Sequence, residues 1–220
     1  MEKLKRVVLY AVGSPLAIDA EESCARAGLE IAAAVRNVEG PTYVSGSLRV
    51  VAAAEVDAEL RICQVVLALF TPANRKAAYE EALRLGFAGA ATLVDPTTPL
   101  ARSAQLGRGV YVNAGCVIAG GCRLGDLVLV NRGASIGHHS RLDDYVSIGP
   151  GAVLCGAVTV GRGAVVGAGA VVLPEVSIGE NAVVAAGSVV REPVPARCLV
   201  GGNPCRVLKP AIRGYRDLAV

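Results

Sequence analysis

Two patterns of apolar and polar positions divide the chain, and they meet near residue 100. In the first part, short apolar runs alternate with helical spacing. Val7–Val12 is an apolar run closed by Gly13-Ser14-Pro15, the pattern of a buried strand running into a turn. Helical spacing follows through Leu16, Ile18, Ala20 and Cys24, with Pro15 at its start and Gly28 at its end, where helices favour these residues. Leu29–Val35 and Val65–Phe70 predict further strands, the second closed by Thr71-Pro72. Asn74–Leu85 predicts a helix: Ala77, Ala78, Ala82 and Leu85 recur as apolar, Glu80, Glu81 and Arg84 are polar, and Gly86 follows. Ala90–Val94 predicts a last strand before Asp95-Pro96. Strand and helix in alternation imply a small α/β domain with a parallel sheet over residues 1–99. Ligands of such sheets sit at the carboxyl ends of the strands. Gly13, Ser14 and Phe70 are therefore the candidate substrate-binding residues.

The second pattern is a strict repeat of six. Stepping by six from Leu106 to Val190 meets fifteen residues, and all are Leu, Ile or Val. The residue four places after each is always small or β-branched, as in Ala134, Ser140 and Val146. Seven times the residue directly after the aliphatic is Gly: Gly107, Gly125, Gly137, Gly149, Gly161, Gly167 and Gly179. The phase never slips. A period of six does not fit a helix, but it suits a short strand plus a tight turn, with the aliphatic pointing inward and the small residue filling the space near the next corner. The glycines are expected to supply backbone conformations that other residues avoid.

Composition agrees with this division. Of 26 Gly, 6 precede residue 100 and 20 follow it, while aromatic residues make up only 4% of the chain and Trp is absent. A core of small aliphatics has little room for large rings. Hydrophobic residues are 53% and the net charge is +3, which excludes a disordered chain. No run of about 20 apolar residues lacks a charge or a turn signal, so no membrane span is expected. Cations in the second half are dispersed, which argues against a nucleic-acid stripe. Seven cysteines without a CxxC pair fit free thiols in a reducing cytoplasm. Met1–Arg6 followed by Val7–Gly13 mimics a leader peptide only faintly, because the short apolar stretch flows into the helical pattern.

The hexads resemble those of the hexapeptide-repeat acyltransferases. That resemblance implies a left-handed parallel β-helix over residues 100–208, three hexads to each triangular coil, with residues 209–220 as a C-terminal tail. Eighteen-residue coils place neighbours. His138 and His139, the only two histidines, fall in the hexad Ile136-Gly137-His138-His139-Ser140-Arg141. Ile136 and Ser140 take the inward slots, so both rings should project outward at a corner. Gly120 and Gly156 stack one coil before and after His138. Ala168 and Ala186 stack on another edge, where a long ligand could lie.

The resemblance narrows to the sialic-acid and bacillosamine acetyltransferase branch. It is carried by Ile136-Gly137-His138, by Asp143-Asp144-Tyr145-Val146-Ser147-Ile148-Gly149-Pro150-Gly151-Ala152, and by Gly202-Asn203-Pro204-Cys205-Arg206-Val207. The branch implies a homotrimer without a metal. Acetyl-CoA lies between prisms, and the N-terminal domain holds a sugar or sugar-like acceptor. Carried over, His138 is the general base and Gly156 the oxyanion and acetyl-CoA contact. Ser147, Ala168, Ala186, Pro204 and Arg206 complete the expected acetyl-CoA set. A neutral imidazole near pH 7 can take the proton of an attacking hydroxyl or amine.

Three departures bear on substrate and mechanism. The residue after the base is usually an acid but here is His139, which could orient His138 by a hydrogen bond without supplying charge; Asp143 or Asp144 could supply it instead. The first turn has one Gly and no His. Phe70 stands where the branch usually has Gly, which argues against a nucleotide-linked acceptor. The alternatives are a longer acyl group or a non-sugar acceptor, and a silent binding trimer. A zinc enzyme would need three histidine ligands across subunits, which two adjacent histidines place poorly. Cys155 has no base partner and reads as structural.

Overall fold

The computed structural model describes residues 6–220. Residues 1–5, the start of the leader-like stretch, lie outside the described residues. The first part folds as β1 (Arg6–Tyr10), α1 (Ala17–Arg26), β2 (Glu30–Arg36), β3 (Val50–Ala52), α2 (Ala58–Arg61), β4 (Gln64–Leu67) and α3 (Pro72–Arg84). The four strands form a parallel sheet in the order β3-β2-β1-β4. Val8, Tyr10, Val35, Val65 and Leu67 are buried with Ala78, Ala82 and Phe87, and the Tyr10 and Phe87 rings meet edge-on at 5.6 Å. The opposite face buries Val7, Leu9 and Val66 against Ala17, Ala20 and Cys24 of α1.

Two strand expectations need correction. The strand predicted over Val65–Phe70 stops at Leu67, because the carbonyls of Ala68, Leu69 and Phe70 turn toward side chains from other elements. The strand predicted over Ala90–Val94 splits. Ala90 bridges Val65 in the α/β sheet, whereas Leu93–Val94 pairs with Tyr111–Val112 and opens the prism.

Residues 105–190 form a triangular prism. Each hexad contributes a two-residue strand that ends on the expected aliphatic, and each strand as far as Val171–Val172 pairs in parallel register with the one 18 residues on, as in Leu129↔Ser147 and Ser135↔Val153. Three sheets result. The first contains Tyr111–Val112, Leu129–Val130, Ser147–Ile148, Val165–Val166 and Val183–Val184; the second runs from Val117–Ile118 to Val189–Val190; the third from Gln105–Leu106 to Ser177–Ile178. The interior column is wholly aliphatic, small or cysteine, without an aromatic ring. At the far end Leu199–Gly201 extends the first sheet and Arg206–Lys209 pairs antiparallel to it.

The turns revise the role given to glycine. In fourteen of the fifteen hexads, the third residue after the aliphatic has a positive φ, and six of these are not Gly: Leu127, His139, Tyr145, Ala157, Glu175 and Asn181. The glycines directly after the aliphatics serve a different need. A Cβ on any of the seven would lie 2.3–2.7 Å from backbone of the next coil, so close stacking selects them.

The three prism faces differ. On the first sheet the outward residues Tyr111, Leu129, Ser147, Val165 and Val183 are buried. The α/β domain covers the early coils through Val7, Leu9 and Ala17, and the C-terminal segment covers Val165 and Val183 through Ile212. On the second sheet Val117 and Val153 are exposed, at 42% and 37%. The third face presents Arg123, Arg141, Thr159 and Ser177 to solvent. Asp95, just after the crossing into the prism, ties the domains together. Its carboxylate accepts hydrogen bonds from Ser23 Oγ at 2.6 Å, Arg26 Nη2 at 2.7 Å and Thr97 Oγ1 at 2.7 Å.

Candidate active site

His138 and His139 sit at the corner between the second and third faces, both exposed, while Ile136 and Ser140 of the same hexad are fully buried. The corner turn holds His139 at φ 61°, in the left-handed region where histidine is enriched among non-glycine residues. The His139 N–H donates to Gly120 O at 2.9 Å, and the His138 carbonyl accepts from Ala157 N at 2.8 Å. Both main chains are thus fixed to neighbouring coils. The rings are edge-to-face, 5.3 Å between centroids, with Nδ1 of His138 3.1 Å from Nδ1 of His139. Only one of these two nitrogens can carry the shared proton. When His138 donates it, its Nε2 is free to act as a base, and His139 carries its own proton on Nε2.

The glycine stacked on His138 leaves room for this arrangement. A Cβ on Gly156 would lie 2.5 Å from Cε1 and 2.6 Å from Nε2 of His138, so the ring occupies the space that a side chain would fill. His139 lies over Gly121 in the same way, with Cδ2 2.9 Å from a Cβ added there. The Gly156 N–H makes no hydrogen bond to any described residue. Neither Asp143 nor Asp144 bonds a histidine, which corrects that expectation. They belong to the next corner, where Asp144 accepts from Asp126 N at 2.8 Å and pairs with Arg162 at 3.3 Å.

The candidate substrate residues gather elsewhere. Gly13, Ser14 and Phe70 line a cavity of about 750 Å³, together with Ala168 and Ala186. Its walls are the turn before α1, the loop before α3, the corner between the first and second prism faces, and Tyr215. Among its lining residues the one charged group is Arg216, and Leu16, directly before α1, and Asn74, in the first turn of α3, both border it. Unpaired N–H groups at helix N-termini favour anionic groups. Phe70 packs edge-on against Tyr215 at 5.7 Å, so the terminal segment closes one side. Pro204 and Arg206 line a separate cavity of about 450 Å³ at the end of the prism.

Ser147 departs from its expected place at the acetyl-CoA contact. It is fully buried, and its hydroxyl donates to Phe70 O at 2.6 Å while accepting from Arg75 Nη2 at 3.0 Å. The sequence reading missed Arg75, Asn74, Tyr215 and Arg216. Arg75 is wholly buried, and burial pushes its guanidinium down to about 9. Its neighbours Asn74 and Lys76 are polar, so the local pattern reads as a solvated helix face. Among the described residues no three His, Cys, Asp or Glu side chains converge as a metal ligand set, and no helix is long and apolar enough to cross a membrane.

Stacked hexads bearing an outward histidine over a glycine, with an α/β domain docked on one face, define a type of transferase. The bacterial transferase hexapeptide (six repeats) family matches residues 139–174 and 157–192. The structure is similar to that of PerB from Caulobacter crescentus in complex with CoA and GDP-perosamine, with 30% identity over 92% of this chain and 96% of that one and a TM-score of 0.83. It is also similar to the acetyltransferase domain of PglB from Neisseria gonorrhoeae FA1090 in complex with acetyl coenzyme A, with 26% identity over 93% and 100% of the two chains and a TM-score of 0.82. WeeI from Acinetobacter baumannii AYE shares the fold at 21% identity over 94% and 100% of the chains, with a TM-score of 0.81. No curated protein sequence matches the chain. The chain belongs to the hexapeptide-repeat acyltransferases, and its prism is the left-handed β-helix of that family.

Proposed function

We propose that the protein transfers an acetyl group from acetyl-CoA to an amino or hydroxyl group of a sugar or sugar-like acceptor. The observation that carries this reading is His138 over Gly156, an exposed imidazole whose Nδ1 is held by His139 and whose Nε2 lies over the stacked glycine, free of any protein hydrogen-bond partner among the described residues. His138 Nε2 takes the acceptor's proton, the freed nitrogen or oxygen attacks the thioester carbonyl, and the Gly156 N–H steadies the developing oxyanion. CoA leaves as the thiol once the tetrahedral adduct collapses. Transfer is direct, because Cys155 and Ser140 have no base partner. PerB and PglB, with CoA and acetyl-CoA bound respectively, support the donor; the GDP-perosamine bound to PerB supports an amino-sugar type of acceptor.

The working unit is a homotrimer in this reading. In one chain the base and the cavity lie at corners separated by the second face. That face carries the exposed Val117 and Val153, which a second copy would cover. Seven free cysteines are consistent with a cytoplasmic setting. The test is thiol release from acetyl-CoA against a panel of nucleotide-linked amino sugars, free amino sugars and small alcohols, with His138→Ala alongside. Wild type should release CoA with at least one acceptor, and the variant should lose about 10²–10⁴-fold in turnover. A variant with near-full activity would overturn the mechanism. Sedimentation at a monomer mass would overturn the trimer.

A further inference from the structure

Three consecutive carbonyls in the cavity-lining loop are each taken by a side chain from a different part of the fold. Ala68 O accepts from Ser14 Oγ at 2.7 Å, in the turn before α1. Leu69 O accepts from Arg75 Nη1 on α3. Phe70 O accepts from Ser147 Oγ on the prism at 2.6 Å and from Arg75 Nη1 at 3.2 Å. This is why β4 ends at Leu67, since the strand's next carbonyls no longer serve a ladder.

Arg75 reaches further. Its Nε donates to Leu127 O at 2.8 Å, and its Nη2 to Tyr145 O at 2.8 Å, Val146 O at 3.1 Å and Ser147 Oγ at 3.0 Å. Every acceptor is a neutral oxygen, so a fully buried cation stands without a carboxylate. An apolar side chain of similar volume would join α3 to the prism without the desolvation cost of a charge. What the guanidinium adds is direction, because its rigid fork fixes several carbonyls at once. The carbonyls it fixes lead into Phe70, which lines the cavity and packs on Tyr215.

We infer that Arg75 and Ser147 are positioning residues for the acceptor, locking the Leu69–Phe70 loop to the prism corner so that Phe70 sets where the acceptor lies. The inference rests on the acetyltransferase reading for its kinetic readout but not for its structural one. It also reverses the expectation that Ser147 contacts acetyl-CoA.

The experiment uses full-length Ser147→Ala and Arg75→Lys, with KM measured separately for acceptor and acetyl-CoA. Loss of the Ser147 hydroxyl, with its bond to Phe70 O and the one it accepts from Arg75, predicts an acceptor KM about tenfold higher in Ser147→Ala, with the acetyl-CoA KM within about twofold of wild type. Arg75→Lys should show a larger shift in the same direction, since a lysine cannot reproduce the fork. A rise confined to the acetyl-CoA KM would restore Ser147 to the donor site and overturn the inference. Equal KM values in all three proteins would overturn it too. Amide hydrogen exchange on the same proteins reads the lock without turnover. Exchange in residues 68–74 should quicken in both variants while the prism coils beyond residue 160 stay unchanged, and unchanged exchange in 68–74 would refute the lock. If wild type acetylates nothing, the acetyltransferase reading fails and the exchange result stands alone.

Discussion

Adding one methyl group at Gly156 and one at Gly137 should separate chemistry from stability. The two glycines lie on adjacent coils, and neither has a positive φ, so alanine is compatible with both backbones. Their surroundings differ. At Gly156 the new Cβ meets Cε1 and Nε2 of His138 at 2.5 and 2.6 Å, atoms at the far end of an exposed side chain that can rotate away. At Gly137 it meets the Cys155 carbonyl carbon and oxygen, both at 2.5 Å. That backbone cannot yield easily, because Cys155 N is bound to Val172 O at 2.9 Å and Cys155 O to Ser140 Oγ at 3.2 Å. Overpacking against fixed backbone costs up to about 3 kcal/mol. At this chain length each kcal/mol lowers Tm by about 2–4 °C, so Gly137→Ala should melt roughly 10 °C below wild type. Gly156→Ala should melt within about 2 °C of wild type. It should nevertheless lose about 10²–10⁴-fold in turnover, because the base is driven off its position. That loss corresponds to about 3–5 kcal/mol of transition-state stabilisation. Thermal melts followed by circular dichroism, and CoA release under saturating acetyl-CoA, read the two effects. A Gly156→Ala protein that melts like Gly137→Ala, or that turns over like wild type, would refute the claim that the stacked glycine exists to seat the histidine.

Two further outcomes follow from buried groups. Burial raises the Asp95 carboxyl's pKa, but hydrogen bonds from Arg26, Ser23 and Thr97 outweigh that and hold it below the usual carboxylate range. A depressed folded pKa contributes stability that is present above pH ~4 and lost as pH falls toward the folded value. Asp95→Asn should therefore cost about 2–4 kcal/mol at pH 7 in denaturant melts, with the gap to wild type narrowing below pH ~4; a constant gap would be contrary to this account. Burial also pushes Cys24 up to about 12 and Cys116 up to about 11, and five of the seven thiols are buried. Alkylation at pH 8, read by intact mass, should modify at most Cys155 and Cys205 quickly in the native protein and all seven in denaturant.

How much of this was legible in the sequence depends on where each residue's environment is decided. The prism was legible because its inward slots repeat one environment at one spacing. Ile136, Leu154 and Val172 could be assigned from the period alone, and they stack in register as that period requires. The outward histidines followed from the same count. Features that depend on contact between distant segments were not visible. Tyr111, Leu129 and Val165 are outward positions of the repeat, yet they are buried, because one face is covered by the α/β domain and the terminal segment. Arg75 sits beside Asn74 and Lys76 and has the local signature of a solvated helix face; only the prism corner at Tyr145–Ser147 makes it buried. β3 and α2 are three and four residues long, too short for periodicity to register.

The prism uses two kinds of glycine, and the expected conformational role holds for only one of them: eight glycines take the left-handed turn position, while the seven after the aliphatics do not. Excess Gly in the second half predicted turns, and turns are present. Yet the left-handed position admits Leu127, His139, Tyr145 and Asn181, so that conformation alone does not demand Gly. Close approach of the next coil selects a second set, since a Cβ at Gly167 would lie 2.5 Å from Ala186 N. The proposed mechanism uses both allowances around one corner. Gly137 lets the coils close, the left-handed position accepts His139 instead of Gly, and Gly156 opposite leaves the space that His138 fills. The same hexad could carry an acid in place of His139 without altering the stacking. In the proposed mechanism, where His138 is the base, the fold therefore leaves the identity of its partner to chemistry, and His139 takes that place through the Nδ1–Nδ1 contact at 3.1 Å.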